Sequence, residues 1–138
     1  MKEPIFIDTG FWIALFDGRD NYHKTAKTLY SSLFRSYRPV ISDFILFETI
    51  TYLNCSLKRH DLAIHFLDRL SRSRLEVITV EEKIKTEALK IFRQYSDKLF
   101  SITDCTSFTA MVQNSIRYFA GFDEHFKHMG FIHIQDHS

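Results

Sequence analysis

The sequence has few cysteines, few glycines and no long apolar run. Its 138 residues include two cysteines, too few for a disulfide framework or a zinc site with four thiolates. The four glycines form no Gly-X-Y repeat, which excludes a collagen-like chain. No apolar stretch approaches the roughly 18 residues of a transmembrane helix, and an acid and a proline interrupt the N-terminus where a signal peptide would be apolar. We therefore expect a soluble, cytoplasmic protein with no membrane segment.

The composition is that of an ordinary globular protein. Apolar residues make up 45% of the chain and charged residues 25%. A chain of this length can bury roughly two thirds of its unfolded surface, so it needs no disulfide or structural metal to fold. We expect residues 1–138 to form one domain.

Predicted strands and helices alternate along the chain. The strands are predicted over residues 4–8, 40–41, 75–80, 118–122 and 131–134. The helices are predicted over residues 11–16, 22–37, 43–54, 61–72, 81–95, 103–114 and 124–129. Ser42 is a suitable N-cap, Ser101 or Thr103 caps the helix over 103–114, and Thr79 with Glu82 resembles a capping box. This alternation predicts a three-layer α/β domain with a mainly parallel sheet.

Four acids from distant segments stand where such a fold places functional sites. Asp8 and Asp123 end predicted strands, Asp104 lies in the first turn of a helix, and Glu48 lies inside another helix. Sites in parallel α/β sheets form beyond the carboxyl ends of the strands, so we expect these carboxylates to converge. Each acid alone also has a structural explanation, because acids cap helices and suit their first turns.

The apolar surroundings of Glu48 predict that its carboxylate is buried, which is costly without a partner. Four facing carboxylates repel one another unless a cation neutralises them. Ligands that are all oxygens favour Mg²⁺ or Mn²⁺ over zinc. His125 and His128, the histidines near Asp123, are too few for a zinc site.

The chain resembles the PIN domain family, especially the VapC-type toxin ribonucleases and their stand-alone relatives. The resemblance covers nearly the whole chain and rests on blocks in the same order. These blocks are Ile5-Phe6-Ile7-Asp8-Thr9, Asp20-x-x-His23-x-x-Ala26, Val40-Ile41-Ser42-Asp43 leading to Glu48, Ser101-Ile102-Thr103-Asp104-Cys105-Thr106-Ser107-Phe108, Gly121-Phe122-Asp123-Glu124-His125-Phe126 and Met129-Gly130-Phe131.

The resemblance implies a PIN-like fold with Asp8, Glu48, Asp104 and Asp123 as its acidic metal site. It also implies endonucleolytic cleavage of RNA that depends on Mg²⁺ or Mn²⁺, a small antitoxin protein as partner, and a homodimer. Polar neighbours of these acids are close enough in sequence to support the carboxylates, although caps and turns explain them equally well. These neighbours are Thr9, Ser42, Ser101 and Thr103.

Two other readings remain open. A PIN-like module that binds RNA or a protein without cutting it would share the fold, but a pure binder gains nothing from a costly carboxylate cluster. A phosphoryl-transfer domain with Asp8 as nucleophile lacks the usual second acid two residues later, where this chain has Gly10.

Overall fold

The computed structural model describes residues 1–136, along which strands and helices alternate as predicted. The strands are β1 (Glu3–Ile7), β2 (Tyr37–Ser42), β3 (Glu76–Ile78), β4 (Tyr118–Ala120) and β5 (Ile132–His133). The α-helices are α1 (Thr9–Phe16), α2 (His23–Ser36), α3 (Asp43–Thr51), α4 (His60–Ser71), α5 (Glu82–Gln94), α6 (Ile102–Gln113) and α7 (His125–His128). A π-helical segment, Tyr52–Ser56, continues α3, and a 3₁₀ turn, Ile134–Asp136, follows β5.

The five strands form one parallel sheet in the order β3-β2-β1-β4-β5. Phe6 of β1 pairs with Val40 of β2 on one side and with Phe119 of β4 on the other. The chain first builds the sheet outward from β1 to β3, then returns to the other side of β1. Ligands of such sheets bind where the strand order switches, beyond the carboxyl ends of the strands. In this sheet the switch lies between β1 and β4.

Helices flank the sheet, and aromatic side chains fill the core. The β1 residues Ile5, Phe6 and Ile7 are fully buried. Phe126 of α7 packs on Phe6, with ring centroids 6.4 Å apart, and on Phe119, at 5.0 Å. Burial of one such ring contributes about 1.5–3 kcal/mol to the free energy of unfolding. This packing fixes the ends of β1 and β4, where the predicted site lies. The parallel sheet flanked by helices confirms the predicted α/β class.

The local signals at the helix starts have mixed outcomes. Ser42 and Ser101 cap α3 and α6 as predicted, each accepting a hydrogen bond from a backbone N–H three residues later. The capping box predicted at Thr79 and Glu82 is wrong. The backbone stays extended through Glu81, which precedes α5 without a side-chain cap. The capping box forms instead between Ser101 and Asp104.

The helix predicted over residues 43–54 changes character before its end. It is α-helical to Thr51 and then π-helical, with the N–H of Leu57 bonded to the carbonyl of Tyr52 at 3.0 Å. Cys55 in this segment is exposed, Cys105 in α6 is buried, and both are free thiols. Along residues 1–136, none of the helices combines the length and the apolar character needed to cross a membrane.

Candidate active site

The structure brings the four predicted acids to the carboxyl end of the sheet. Asp8 follows β1 directly, Asp123 lies three residues beyond β4, Asp104 sits in the first turn of α6, and Glu48 lies on α3. The charges of the other three acids all act on the carboxyl group of Asp8. The four acids therefore lie at this end of the sheet, and their role as metal ligands stays a prediction.

Asp8 is the most buried of these carboxylates, with 7% of its surface exposed. Burial, followed by the nearby charge of Asp104, raises its pKa from 3.8 to about 8. A hydrogen bond from the backbone of Thr9 opposes this shift, while Glu48 and Asp123 add to it. Near neutral pH, Asp8 thus ionises readily only if positive charge reaches it.

Glu48 is held by a neighbour rather than buried among apolar side chains. The hydroxyl of Thr9 donates a hydrogen bond of 2.6 Å to its Oε1. The expectation that Glu48 is the buried acid is wrong, because α3 is only partly covered and Glu48 is half-buried. Phe47 beside it is 61% exposed. The buried carboxylate is Asp8.

Gly121 lets β4 approach β1 closely at the site. A Cβ at position 121 would lie 3.2 Å from the Cβ of Asp8, which is tighter than most Cβ contacts in proteins. His133 holds the same residue from the other side, since its Nε2–H donates to the Gly121 carbonyl at 2.6 Å. The backbone N–H of Gln135 donates to His133 Nδ1, which fixes this tautomer.

His125 is a site residue that the sequence argument missed. Its Nδ1 lies 3.1 Å from Oδ2 of Asp104 and 3.2 Å from Oδ1 of Asp123, so one imidazole joins two of the acids. Its backbone N–H also donates to Asp123 Oδ1 at 2.9 Å. The sequence carried one signal, a histidine two residues after an acid at a strand end. Considering it only as a zinc ligand hid its contact with the carboxylates.

The four predicted supporting residues divide into two pairs. Thr9 bonds to Glu48, and Ser101 exchanges hydrogen bonds with Asp104, which holds that carboxylate on the first turn of α6. The hydroxyl of Ser42 instead accepts from the N–H of Ile45 in α3. Thr103 uses its carbonyl to accept from two hydroxyls within α6. Thr9 and Ser101 therefore contact the acids, and the other two serve their helices.

The donor set suits a hard divalent cation. Its four carboxylates offer oxygen ligands of the kind that Mg²⁺ and Mn²⁺ prefer. Burial and then the charge of Asp104 raise the pKa of Asp8, and a cation would offset both. Within residues 1–136, no group of three or more acids, histidines or cysteines is already gathered tightly enough to hold an ion. The residues fit such a cation by their chemistry and by their common location.

The surface has two further grooves, the first of which borders this region. One runs beside Glu48 and is mostly apolar; it is lined by Phe44, Phe47, Glu48, Thr51, Tyr52, Ser56 and Thr103. The other lies between α2 and α4 and combines aromatic with basic side chains; it is lined by Tyr30, Phe34, His65, Arg69, Arg72 and Ser73. Exposed apolar patches mark protein interfaces, so both the apolar groove and the mixed groove are candidate docking sites for a protein partner.

Comparisons with known proteins agree with the fold. The model of the PIN domain family matches residues 5–132. The chain is 32% identical over 134 residues to the 23S rRNA-specific endonuclease VapC20 of Mycobacterium tuberculosis, strains CDC 1551 / Oshkosh and ATCC 25618 / H37Rv. That alignment covers 95% of this chain and 98% of the relative.

Solved structures give the same assignment. The crystal structure of Mycobacterium tuberculosis VapC20, described as a sarcin-ricin loop cleaving toxin, matches with a TM-score of 0.85 and 30% identity over 93% of this chain and 96% of that one. VapBC2 from Rickettsia felis matches in fold, with a TM-score of 0.69 and 17% identity over 94% and 96% of the two chains. The chain therefore belongs to the PIN domain family, as an endoribonuclease of the VapC toxin type.

Proposed function

We propose that this chain cuts 23S ribosomal RNA within the sarcin-ricin loop and that the cut depends on Mg²⁺ or Mn²⁺. The observation that carries the proposal is the convergence of four carboxylates at the end of β1 in a chain 32% identical to VapC20. The relative is described as specific for 23S rRNA, and its structure as that of a sarcin-ricin loop cleaving toxin. The same substrate is proposed here.

The proposed ligands are Asp8, Asp104 and Asp123, with Glu48 as a further ligand or as the group that orients the attacking water. Held by these carboxylates, a divalent cation would supply an activated water and would stabilise the charge that develops on the scissile phosphate. Thr9 fixes the orientation of Glu48 through their 2.6 Å hydrogen bond.

His125 and Ser101 keep the other two carboxylates in place. The imidazole spans Asp104 and Asp123, and the capping box ties Asp104 to the start of α6. Such partners of metal ligands orient the carboxylates before the substrate arrives. The chain thus supplies a preorganised anionic site in which Asp8 is largely shielded from solvent.

The partners proposed for this chain follow from the VapC type and from its grooves. A small antitoxin would dock in the apolar groove beside Glu48, where it would cover the approach to the acids. Exposed apolar side chains outside that groove, Val112 and Leu89 among them, suit a homodimer. We further propose that residues 1–138 act as one domain in the cytoplasm, where ribosomes offer the RNA substrate.

The test is cleavage of a synthetic RNA hairpin with the sarcin-ricin loop sequence. Purified protein with Mg²⁺ or Mn²⁺ should cut it at one position within the loop, and EDTA should stop the cut. A hairpin of equal length with a scrambled loop is the matched control. Cleavage that persists in EDTA would contradict the metal requirement, and equal cleavage of the scrambled loop would contradict the substrate. Binding without any cleavage would favour the non-catalytic module.

A further inference from the structure

An aromatic stack reaches from the core to the surface beside the proposed catalytic acids. The ring of Phe11 is fully buried, and Phe122 lies nearly parallel to it, with centroids 6.0 Å apart and planes at 11°. Tyr22 covers Phe122 at 4.3 Å with the planes at 4°. Tyr22 ends the stack and remains 49% exposed, although one of its faces is covered. An open aromatic face therefore lies at the surface.

The segment around Tyr22 holds this ring firmly. Oδ1 of Asp20 accepts a hydrogen bond from the Tyr22 backbone N–H at 2.8 Å. The Tyr22 carbonyl accepts from the N–H of the buried Ala26, also at 2.8 Å. Nδ1–H of His23 donates to the Ala14 carbonyl at 2.7 Å, which ties the start of α2 to α1. The motif Asp20-x-x-His23-x-x-Ala26 thus fixes the position of the tyrosine within it.

The open face lies next to the proposed site of cleavage. Tyr22 and Phe122 line one surface cavity together with Asp123, and Lys127 lines it as well. Asp123 is one of the four acids, so a strand of RNA entering at Asp123 passes the ring. Lysine side chains contact RNA phosphates, and aromatic faces stack on unpaired bases whatever their sequence.

We propose that Tyr22 is the platform on which an unpaired base of the RNA substrate stacks, next to the phosphate that is cut. This inference rests on the proposed ribonuclease function and adds a base-binding subsite to it. Core packing accounts for Phe11 and Phe122, which are covered. Core packing does not account for Tyr22, whose outer face is exposed to solvent. A defined turn holds this ring parallel to Phe122.

The test measures binding of the sarcin-ricin hairpin in EDTA, where the proposed cleavage is stopped. Tyr22→Leu should weaken binding by about tenfold or more, as loss of a base–aromatic stack does. Tyr22→Phe keeps the ring and should stay within about twofold of the wild type, since stacking needs only the π-face. In cleavage assays Tyr22→Leu should raise KM more than it lowers kcat, because the stack is present before the transition state.

Hairpins with one loop base removed identify the partner base. When the base that stacks on Tyr22 is the one removed, the wild type and Tyr22→Leu should bind the hairpin with equal affinity. Equal affinity at that position shows that the ring and that base interact with each other. In wild-type complexes, 2-aminopurine at the same position should lose fluorescence on stacking, a readout that does not depend on the folding of any variant. If Tyr22→Leu binds more weakly than the wild type at every abasic position, or if no 2-aminopurine is quenched, Tyr22 is not a platform for a base. If the wild type neither binds nor cuts the hairpin, the proposed function fails, and this inference with it.

Discussion

Asp8 and Asp61 are the same side chain in two environments, and their pKa values move in opposite directions. At the buried end of β1, desolvation and the charge of Asp104 raise the pKa of Asp8 to about 8. At the start of α4, Arg59 binds both carboxylate oxygens of Asp61, at 2.8 and 2.9 Å, and lowers its pKa to about 2. Asp61 is thus neutralised by a cation of the same chain, Arg59.

Three of the four acids of the site have a side-chain partner, and among residues 1–136 Asp8 has only a backbone one. Asp104 and Asp123 share the imidazole of His125, and Glu48 has the hydroxyl of Thr9, but Asp8 gains only a backbone hydrogen bond against the charges around it. Buried negative charge of this kind is costly unless it is neutralised. The comparison supports the proposal that the site takes a cation from outside the chain, whereas Asp61 already has Arg59.

The sharpest test of this contrast is the pH dependence of unfolding in EDTA. Folding raises the pKa of Asp8, so its contribution to stability is fully present below pH 3.8 and is lost as the pH rises towards 8. Asparagine cannot ionise, so the stability of Asp8→Asn should not fall in this way as the pH rises. At pH 8 its free energy of unfolding should exceed that of the wild type by up to about 5 kcal/mol. Urea unfolding of both proteins between pH 4 and 8 measures the difference.

Asp61→Asn is the matched control, and its sign is opposite. Folding lowers the pKa of Asp61, so its contribution is present above pH 3.8 and is lost as the pH falls through about 2. This variant should be no more stable than the wild type at neutral pH. Parallel pH curves for Asp8→Asn and wild type would contradict the assignment of Asp8 as an uncompensated buried acid.

The second test compares the two regions by activity. Asp104→Asn should lower RNA cleavage by more than about 100-fold, because even changes to the partners of metal ligands cost 10–100-fold. The fold should survive, since an asparagine oxygen can still accept the capping hydrogen bond from the Ser101 N–H. Asp61→Asn should cut hairpin RNA at the wild-type rate. Equal losses in both variants would mean that the site is not at the end of β1.

Local signals in the sequence predicted much of this arrangement. The helix caps Ser42 and Ser101 were predictable because a cap depends on residues three positions apart. The common location of the four acids was predictable because carboxyl ends of parallel strands meet at one edge. The Thr79–Glu82 capping box failed because the chain stays extended through Glu81, which those two residues do not determine.

Other features depend on tertiary packing and were not predictable from local sequence. Apolar neighbours on α3 predicted a buried Glu48, but that helix leaves part of its surface uncovered, and Phe47 remains exposed. The bridge from His125 to Asp104 requires α7 to meet the start of α6, two elements far apart in the chain. The parallel stack of Tyr22 on Phe122 likewise joins distant segments.

The third test adds the proposed cation to the comparison. Mg²⁺ or Mn²⁺ should raise the melting temperature of the wild type by mass action, equivalent to about 2.7 kcal/mol at 100 times Kd. Asp8→Asn should lose most of this gain because it removes a ligand charge, and Asp61→Asn should keep it. A thermal scan with equal metal stabilisation in wild type and Asp8→Asn would remove Asp8 from the site.

The smallest expected effect concerns the hydrogen bond from Thr9 to Glu48. Thr9→Val removes the hydroxyl with little change of shape, so Glu48 loses its 2.6 Å donor and its fixed orientation. Apparent affinity for Mn²⁺, measured by thermal titration, should fall by about tenfold, the lower end of what partners of metal ligands contribute. Thr9→Ser retains the hydroxyl and should bind Mn²⁺ nearly as the wild type does. If serine and valine at this position weaken Mn²⁺ binding equally, Thr9 acts through its packing at the start of α1, and Glu48 is oriented by other contacts.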